Sequence, residues 1–407
     1  MCDRRLIFCA TAIMAPADNG TGSPPASILV VSGLALANPY VGQGVYAARL
    51  VRALQRSASR DFIVVVPRGL NVAGVFPGVS FVELPRFLNL RNEMLKQVVF
   101  SERLLRFVGR KFPSAVFHSP VPLTGRTKPV RTVVTMHDCI YRRFPNYLGH
   151  RGLRRWFAYA TERFAASASL VLTDSIFSKN DLVERAGIEA NRIEVLYPWV
   201  GDKFQLPADA DRVEGLRTRL KLPERFWLYL GGYDYRKNIE FLIESYAQAR
   251  RARALPPLAL AGRIPQQPSA VTCDVLGAIR KAGLQPNDIL MPGLIAIDDL
   301  PDLYRAASLF VFPSLMEGFG LTPAEAVAAG TPVLVSNNSS LPEVVSNPQC
   351  RFDGMNLESL VAKLLAAAQD ATQFSATLPE QFTEAYGIKH YLSLIHEVAG
   401  GRHPAHG

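Results

Sequence analysis

Apolar residues in this chain come in short dense runs, separated by longer stretches of helical periodicity. The runs at 26–31, 62–66, 115–118, 131–136, 170–173 and 193–196 lack the alternation expected of a sheet with one wet face. They read as strands buried on both sides. The stretches up to Leu54 and at 91–111, 150–167 and 178–186 read as the helices between them. A second set of strands follows at 226–230, 258–261, 289–291, 309–312 and 332–335, with a helix opening at Ile239. Strands alternating with helices predict an α/β protein built on doubly wound parallel sheets. The Gly-, Pro- and charge-rich segment between Pro198 and Pro223 separates the sets. The expected division is a leader (1–26), a first domain (27–200), a connection (201–222), a second domain (223–380), and a final helix with tail (381–407).

The richest local chemistry follows the run 309–312. Pro313 stops that strand, and Gly318-Phe319-Gly320 leads to Thr322-Pro323, which opens an alanine-rich helix ended by Gly330. Thr322 as N-cap, Pro323 at the first helical position and Glu325 three residues after the cap fit a capping box. Backbone N–H groups around Gly318, Phe319, Gly320 and Leu321 and the positive end of the helix dipole would then point at one spot, suited to a phosphate or diphosphate. Glu317 and Glu325 flank that spot. A carboxylate repels a phosphate, so this pair suits sugar hydroxyls. Taken singly, Glu325 is only a capping residue, Glu317 a solvated loop acid and the glycines an ordinary turn. Their combination carries the inference.

A second cluster, Gly231-Gly232 followed by Arg236-Lys237-Asn238, lies between a strand and a helix. Arg grips two phosphate oxygens at once, and Lys supplies a point charge. In the first half, His118-Ser119 and His137-Asp138 end strands, and Gly42 and Gly44 open a helix. A lone Arg-Lys pair is ordinarily a solvated surface pair, and a lone His-Asp pair is ordinarily structural.

The Glu317-x7-Glu325 spacing, the Gly232 to Asn238 run and the His137-Asp138 segment with Pro145 resemble retaining glycosyltransferase family 4, over about residues 27 to 395. The resemblance implies the GT-B fold, two facing Rossmann-like domains around a cleft. By that resemblance Glu325 binds the nucleotide ribose and Glu317 the transferred sugar. The amides of Gly318, Phe319, Gly320 and Leu321 hold the diphosphate together with Gly232, Arg236 and Lys237. His137 or Asp138 bonds the sugar or the acceptor, Gly42 and Gly44 approach the diphosphate, and the base rests near Gly293 and Leu294. Two positions depart from the family: Val45 stands where Arg is usual, and Pro198-Trp199-Val200-Gly201 replaces Pro-Asn-Gly. Ser178 reads as a helix N-cap, Glu343 as a helix-start acid, and the final helix is expected to cross back onto the first domain. The implied activity is metal-independent hexosyl transfer, mannose from GDP-mannose, to a lipid-linked or polysaccharide acceptor. The alternatives are a UDP- or dTDP-sugar donor (glucose, rhamnose), or a sugar-nucleotide epimerase on the same scaffold.

Composition adjusts this reading. The net charge of +10 suits anionic partners: a nucleotide diphosphate or an anionic membrane surface. Nucleic acid is not expected, because basic and aromatic residues do not interleave. No G-x-G-x-x-G follows the first strand, which disfavours a dinucleotide dehydrogenase. Five scattered cysteines without a C-x-x-C pair suit a reducing compartment, and a cytoplasmic location gives access to nucleotide sugars. Asp209-Ala-Asp211 imitates a metal-binding Asp-x-Asp but has no apolar strand before it, and no metal or cofactor is expected. The stretch 84–111, with Arg86, Arg91, Lys96, Arg103, Arg106, Arg110 and Lys111, is basic. The stretch 151–164 sets Leu153, Trp156, Phe157, Ala160 and Phe164 at helical spacing beside Arg151, Arg154 and Arg155. Either stretch could lie on an anionic membrane; the second is expected instead to pack its apolar stripe on the sheet.

Overall fold

Two all-parallel sheets organise the computed structural model. It describes residues 28–401, apart from 39–41, 58–60, 71, 73, 85–92, 128–130, 148–151, 266 and 268. The expected leader and Arg86, Arg91 and Arg151 therefore lie outside the described residues, as does the Lys96 side chain.

The first sheet comprises β1 (Leu29–Ser32), β2 (Phe62–Pro67), β3 (Ser80–Leu84), β4 (Val116–Ser119), β5 (Arg131–Thr135), β6 (Leu170–Thr173) and β7 (Ile193–Val195), ordered β3-β2-β1-β4-β5-β6-β7. Its helices are α1 (Gly42–Ser57), α2 (Glu93–Lys111), the short α3 (Ile140–Arg143), α4 (Gly152–Ala165) and α5 (Ile176–Ala186). After α6 (Ala210–Leu220), the second half alternates β8 (Trp227–Leu230), α7 (Ile239–Ala252), β9 (Leu258–Ala261), α8 (Val275–Ala282), β10 (Ile289–Gly293), α9 (Leu300–Ala306), β11 (Leu309–Phe312), α10 (Leu321–Ala328), β12 (Val333–Ser336), α11 (Leu341–Val344), β13 (Arg351–Phe352) and α12 (Leu357–Gln369). Its strand order is β10-β9-β8-β11-β12-β13. Both sheets thus share one winding, with a reversal between β1 and β4 in one and between β8 and β11 in the other.

The central strands are buried along their whole length, which is why their sequences read as unbroken apolar runs. Two strands escaped the sequence pattern. β3 is an edge strand with exposed residues, and β13 is two residues long at the other sheet's edge. Residues 201–222, expected as a connection, carry α6, whose N-cap is Asp209; its Oδ1 accepts the N–H groups of Asp211 and Arg212. The Asp-x-Asp run is therefore a helix start.

The last helix, α13 (Glu384–Ala399), returns to the first domain. Tyr391, Leu394, Ile395 and Val398 pack with Leu29, Val31, Val116 and Trp199 on one face of the first sheet. Tyr391 Oη lies 2.8 Å from His118 Nδ1, and His118 Nε2 lies 2.9 Å from Thr135 Oγ1. Burial holds His118 neutral, lowering its pKa to about 3 with help from the nearby His137. Among the described residues no helix is long and apolar enough to cross a membrane.

Gly387 is where α13 fits closest, since a β-carbon there would sit 2.4 Å from Trp199 Cε3. Gly387→Ala is expected to cost about 1–3 kcal/mol through overpacking. Urea denaturation measures this, and an unchanged midpoint would show that Trp199 can swing aside.

Candidate functional site

Crevices in doubly wound sheets open beyond the carboxyl ends of strands where the winding reverses. Beyond β8 come Gly231, Gly232 and the 3-10 turn Tyr235–Lys237; beyond β11 comes the loop carrying Glu317. The two segments meet. Arg236 donates from Nη1 to the Met316 carbonyl at 2.7 Å and pairs with Glu317 Oε2 at 3.1 Å. Lys237 Nζ pairs with Glu317 Oε1 at 2.6 Å and lies 5.0 Å from the Phe312 ring centroid. Asp234 Oδ1 accepts from Arg236 Nε at 2.9 Å.

All of these side chains are largely withdrawn from water. Burial would raise the Glu317 pKa, but Lys237 and Arg236 outweigh it and hold the carboxyl below its ordinary range. Burial and the neighbouring Arg236 lower the Lys237 ammonium, against the pull of Glu317. Arg236 is raised despite its burial, by Glu317 and Asp234. Glu317 is thus an anion neutralised by two cations, not the solvated acid its sequence position suggests when taken alone.

The helix mouth differs from its sequence reading. α10 starts at Leu321, two residues early, so Thr322 lies inside the helix and caps nothing. The N-cap is Gly320, at φ +109°, a conformation that side chains rarely tolerate. With no side-chain cap, the first N–H groups of the helix lack the hydroxyl that a capping box would supply. Glu325 turns the other way: Oε1 pairs with Arg49 of α1 at 2.5 Å, and Oε2 accepts from Tyr304 Oη at 3.3 Å. Arg49 also donates to the Trp199 carbonyl at 2.8 Å. The capping-box expectation is overturned because Arg49, from the other domain, claims the carboxylate.

The first domain faces this loop closely. A β-carbon at Gly318 would lie 3.0 Å from the His137 carbonyl and 3.2 Å from Asp138 Oδ2. The Gly318 carbonyl accepts from Ser175 Oγ at 2.6 Å and Ser178 Oγ at 3.0 Å. Ser175, not Ser178, is the N-cap of α5, and it accepts the Ser178 N–H. Ser178 is left to reach across the seam. Glu343, besides lying in the first turn of α11, accepts from the N–H groups of Ile176 and Phe177 at 2.9 Å. One domain's carboxylate therefore caps the other's helix. Tyr147 Oη donates to Asp234 across the same seam, which ties the first domain to the residue that holds Arg236.

Both ring nitrogens of His137 are engaged. Nδ1 lies 2.9 Å from Asp174 Oδ2, and Nε2 lies 3.0 Å from the Pro120 carbonyl. Two acceptors require two protons on the ring. Burial disfavours that charge, but Asp174, Asp138 and Pro120 outweigh it and raise the pKa. Asp138 is left as the member of the pair turned toward the second domain's loop; burial raises its own pKa.

Other expected positions lie further off. Gly42 is the first residue of α1, and a side chain at Gly44 would collide with the Asn38 carbonyl. Gly293 and Leu294 sit at the end of β10, the edge strand two places from β8; Leu294 is 73% exposed. Arg49, Tyr147, Asp174, Asp234 and Tyr304 were not singled out by the sequence. Asp174, directly after the run 170–173, and Asp234, inside the Gly232 to Asn238 run, carried positional hints. Among the described residues no cluster of three or more His, Cys, Asp or Glu side chains could hold a metal.

Two family models match, Glycosyltransferase Family 4 over residues 40–203 and Glycosyl transferases group 1 over residues 224–378. With both halves accounted for, the chain belongs to the family-4 glycosyltransferases. The chain is similar to the O-antigen chain mannosyltransferase B of Escherichia coli, at 28% identity over 82% of this chain and 88% of that one. It is 32% identical over 243 residues to the serotype-specific mannosyltransferase WbdA of Escherichia coli, but spans only 29% of that relative's length. Sucrose-phosphate synthase from Thermosynechococcus elongatus shares its fold, GT-B, with a TM-score of 0.65 at 19% identity over 92% of this chain and 97% of that one.

Since His137 takes up a proton more readily folded than unfolded, it stabilises the fold fully below pH 6.5, its ordinary value. That contribution disappears as the pH rises through the raised folded value. Urea melts of the wild type and His137→Gln should therefore differ most in acid and converge in alkali. A difference that widens with rising pH would show the ring to be neutral.

Proposed function

We propose that this chain is a retaining, metal-independent glycosyltransferase. It moves mannose from GDP-mannose to a lipid-linked or glycan acceptor in polysaccharide or lipopolysaccharide O-antigen synthesis, at the cytoplasmic face of a membrane. The observation that carries the reading is the convergence of Arg236 and Lys237 on Glu317, three positions before Gly320, the N-cap of α10 that has no side-chain cap. A leaving nucleoside diphosphate gains negative charge as the glycosidic bond breaks. Fixed donors in a buried site stabilise that charge without reorganising, and one such donor contributes about 3 kcal/mol, or roughly a hundredfold in rate.

In this reading Arg236 keeps Nε and Nη1 on Asp234, Met316 and Glu317 and offers Nη2 to a phosphate oxygen. Lys237 and the amides of Gly318, Phe319, Gly320 and Leu321 complete the cradle, with Gly232 lining it. Glu317, held ionised and fixed in direction, accepts from a hydroxyl of the transferred sugar. Glu325 exchanges Arg49 for the ribose hydroxyls, and Gly293 and Leu294 border the base. Asp138 bonds the sugar or the acceptor. His137, fixed by Asp174 and the Pro120 carbonyl, sets a positive charge near Asp138, and Gly42 and Gly44 bring the start of α1 to the acceptor side. The assignment of mannose draws on the mannosyltransferases that this chain resembles.

Arg236→Ala and Lys237→Ala are each expected to lower turnover at least tenfold. Removing one partner of a buried ion pair costs about 3–5 kcal/mol, so turnover is normalised to the folded fraction. Turnover per folded molecule that equals the wild type would remove that residue from the diphosphate clamp. The donor is read from thermal shifts across GDP-, UDP- and dTDP-sugars. Product analysis without acceptor completes the test, because an isomerised donor would mean an epimerase.

A further inference from the structure

The helices α2 and α4 both looked amphipathic in sequence, but they bury differently. In α2 the apolar residues Leu104, Leu105 and Val108 are buried, while Arg103, Arg106 and Arg110 face water. In α4 the inner side, Ala158, Thr161, Glu162, Phe164 and Ala165, is buried. Leu153, Trp156 and Tyr159 are 37%, 49% and 56% exposed, so the expectation that Leu153 and Trp156 pack on the sheet is overturned. Arg154, Arg155 and Arg163 are exposed with them. The helix has a single acid, Glu162, and it is buried, bonded to Arg142 and to Tyr141 Oη. The outward surface of α4 is therefore apolar and cationic with no anion of its own.

We infer that this surface is a docking site for an anionic lipid bilayer. A Trp and a Tyr with polar edges suit the depth of the headgroups, and arginines beside them pair with lipid phosphates. Position supports the choice of occupant. Arg154, in the first turn of α4, reaches the carbonyl of Tyr147 at 3.5 Å, and the Tyr147 hydroxyl crosses to Asp234 at the seam. The patch thus lies beside the seam where His137 and Asp138 face the second domain. A bilayer held there would bring a lipid-linked acceptor to the cleft. That purpose rests on the proposed function; the docking itself does not.

The intact protein is mixed with vesicles of phosphatidylcholine alone, or of phosphatidylcholine with phosphatidylglycerol, and sedimented. Binding is expected to the second kind only and to weaken with salt. Arg154→Gln with Arg155→Gln should weaken it roughly 25-fold, about fivefold per cation at an anionic surface. Of the three tryptophans, Trp199 and Trp227 are buried, so a blue shift of emission on vesicle addition reports Trp156 and should vanish in Trp156→Phe. Thermal stability and the shift produced by GDP should be unchanged in all variants, which separates this test from that of the donor site. Three results would overturn the inference: no binding to anionic vesicles, wild-type binding by the arginine variant, or a dimer that Trp156→Ser with Tyr159→Ser makes monomeric.

Discussion

Two cations placed side by side in a buried crevice repel each other and lose hydration, and only a nearby anion makes the arrangement tolerable. Glu317 is that anion. One carboxylate oxygen serves Lys237 and the other serves Arg236, so a β8 strand end and a β11 strand end are tied at one point. The cost of burial is what gives the site its fixed geometry. Glu317 occupies both cations.

The contacts around this cluster come from both domains. Tyr147 touches Asp234, Ser175 and Ser178 hold the Gly318 carbonyl, and Arg49 holds Glu325. Glu343 caps α5, and α13 fastens the chain's end to the first sheet. The bonds made to Gly318, Glu325 and Glu343 all engage the glycine-flanked loop or the segments it packs on. The seam and the candidate site are consequently one structure, and opening the domains would break the bonds that hold the Gly318 loop. The two buried histidines fit this economy in opposite ways. His118 is kept neutral between hydroxyls, and His137 is kept charged between oxygens.

Much of this was legible in the chain. Strands buried on both faces announce themselves as apolar runs, so eleven strands are legible as such, and among the described residues only the edge strands β3 and β13 are not. Glycines and charged residues directly after such runs mark strand ends, where ligands of wound sheets bind. That is why Arg236, Lys237 and Glu317 stood out. Local rules failed where a residue from the other domain competed. Thr322 and Glu325 have the spacing of a capping box, yet Arg49 took the carboxylate and the helix began two residues earlier. The stripe on α4 was expected against the sheet, and its outer half faces water.

The sequence by itself determined the winding of each half and the residue types at the strand ends, because burial patterns and turn chemistry are local. Tertiary structure alone decided which charges face one another. Arg49 and Glu325 lie 276 positions apart, and Tyr147 and Asp234 lie 87 apart. Neither separation leaves a periodic trace in the chain. Ion pairs and hydrogen bonds act only within a few ångströms, so their partners exist only once the two domains have closed.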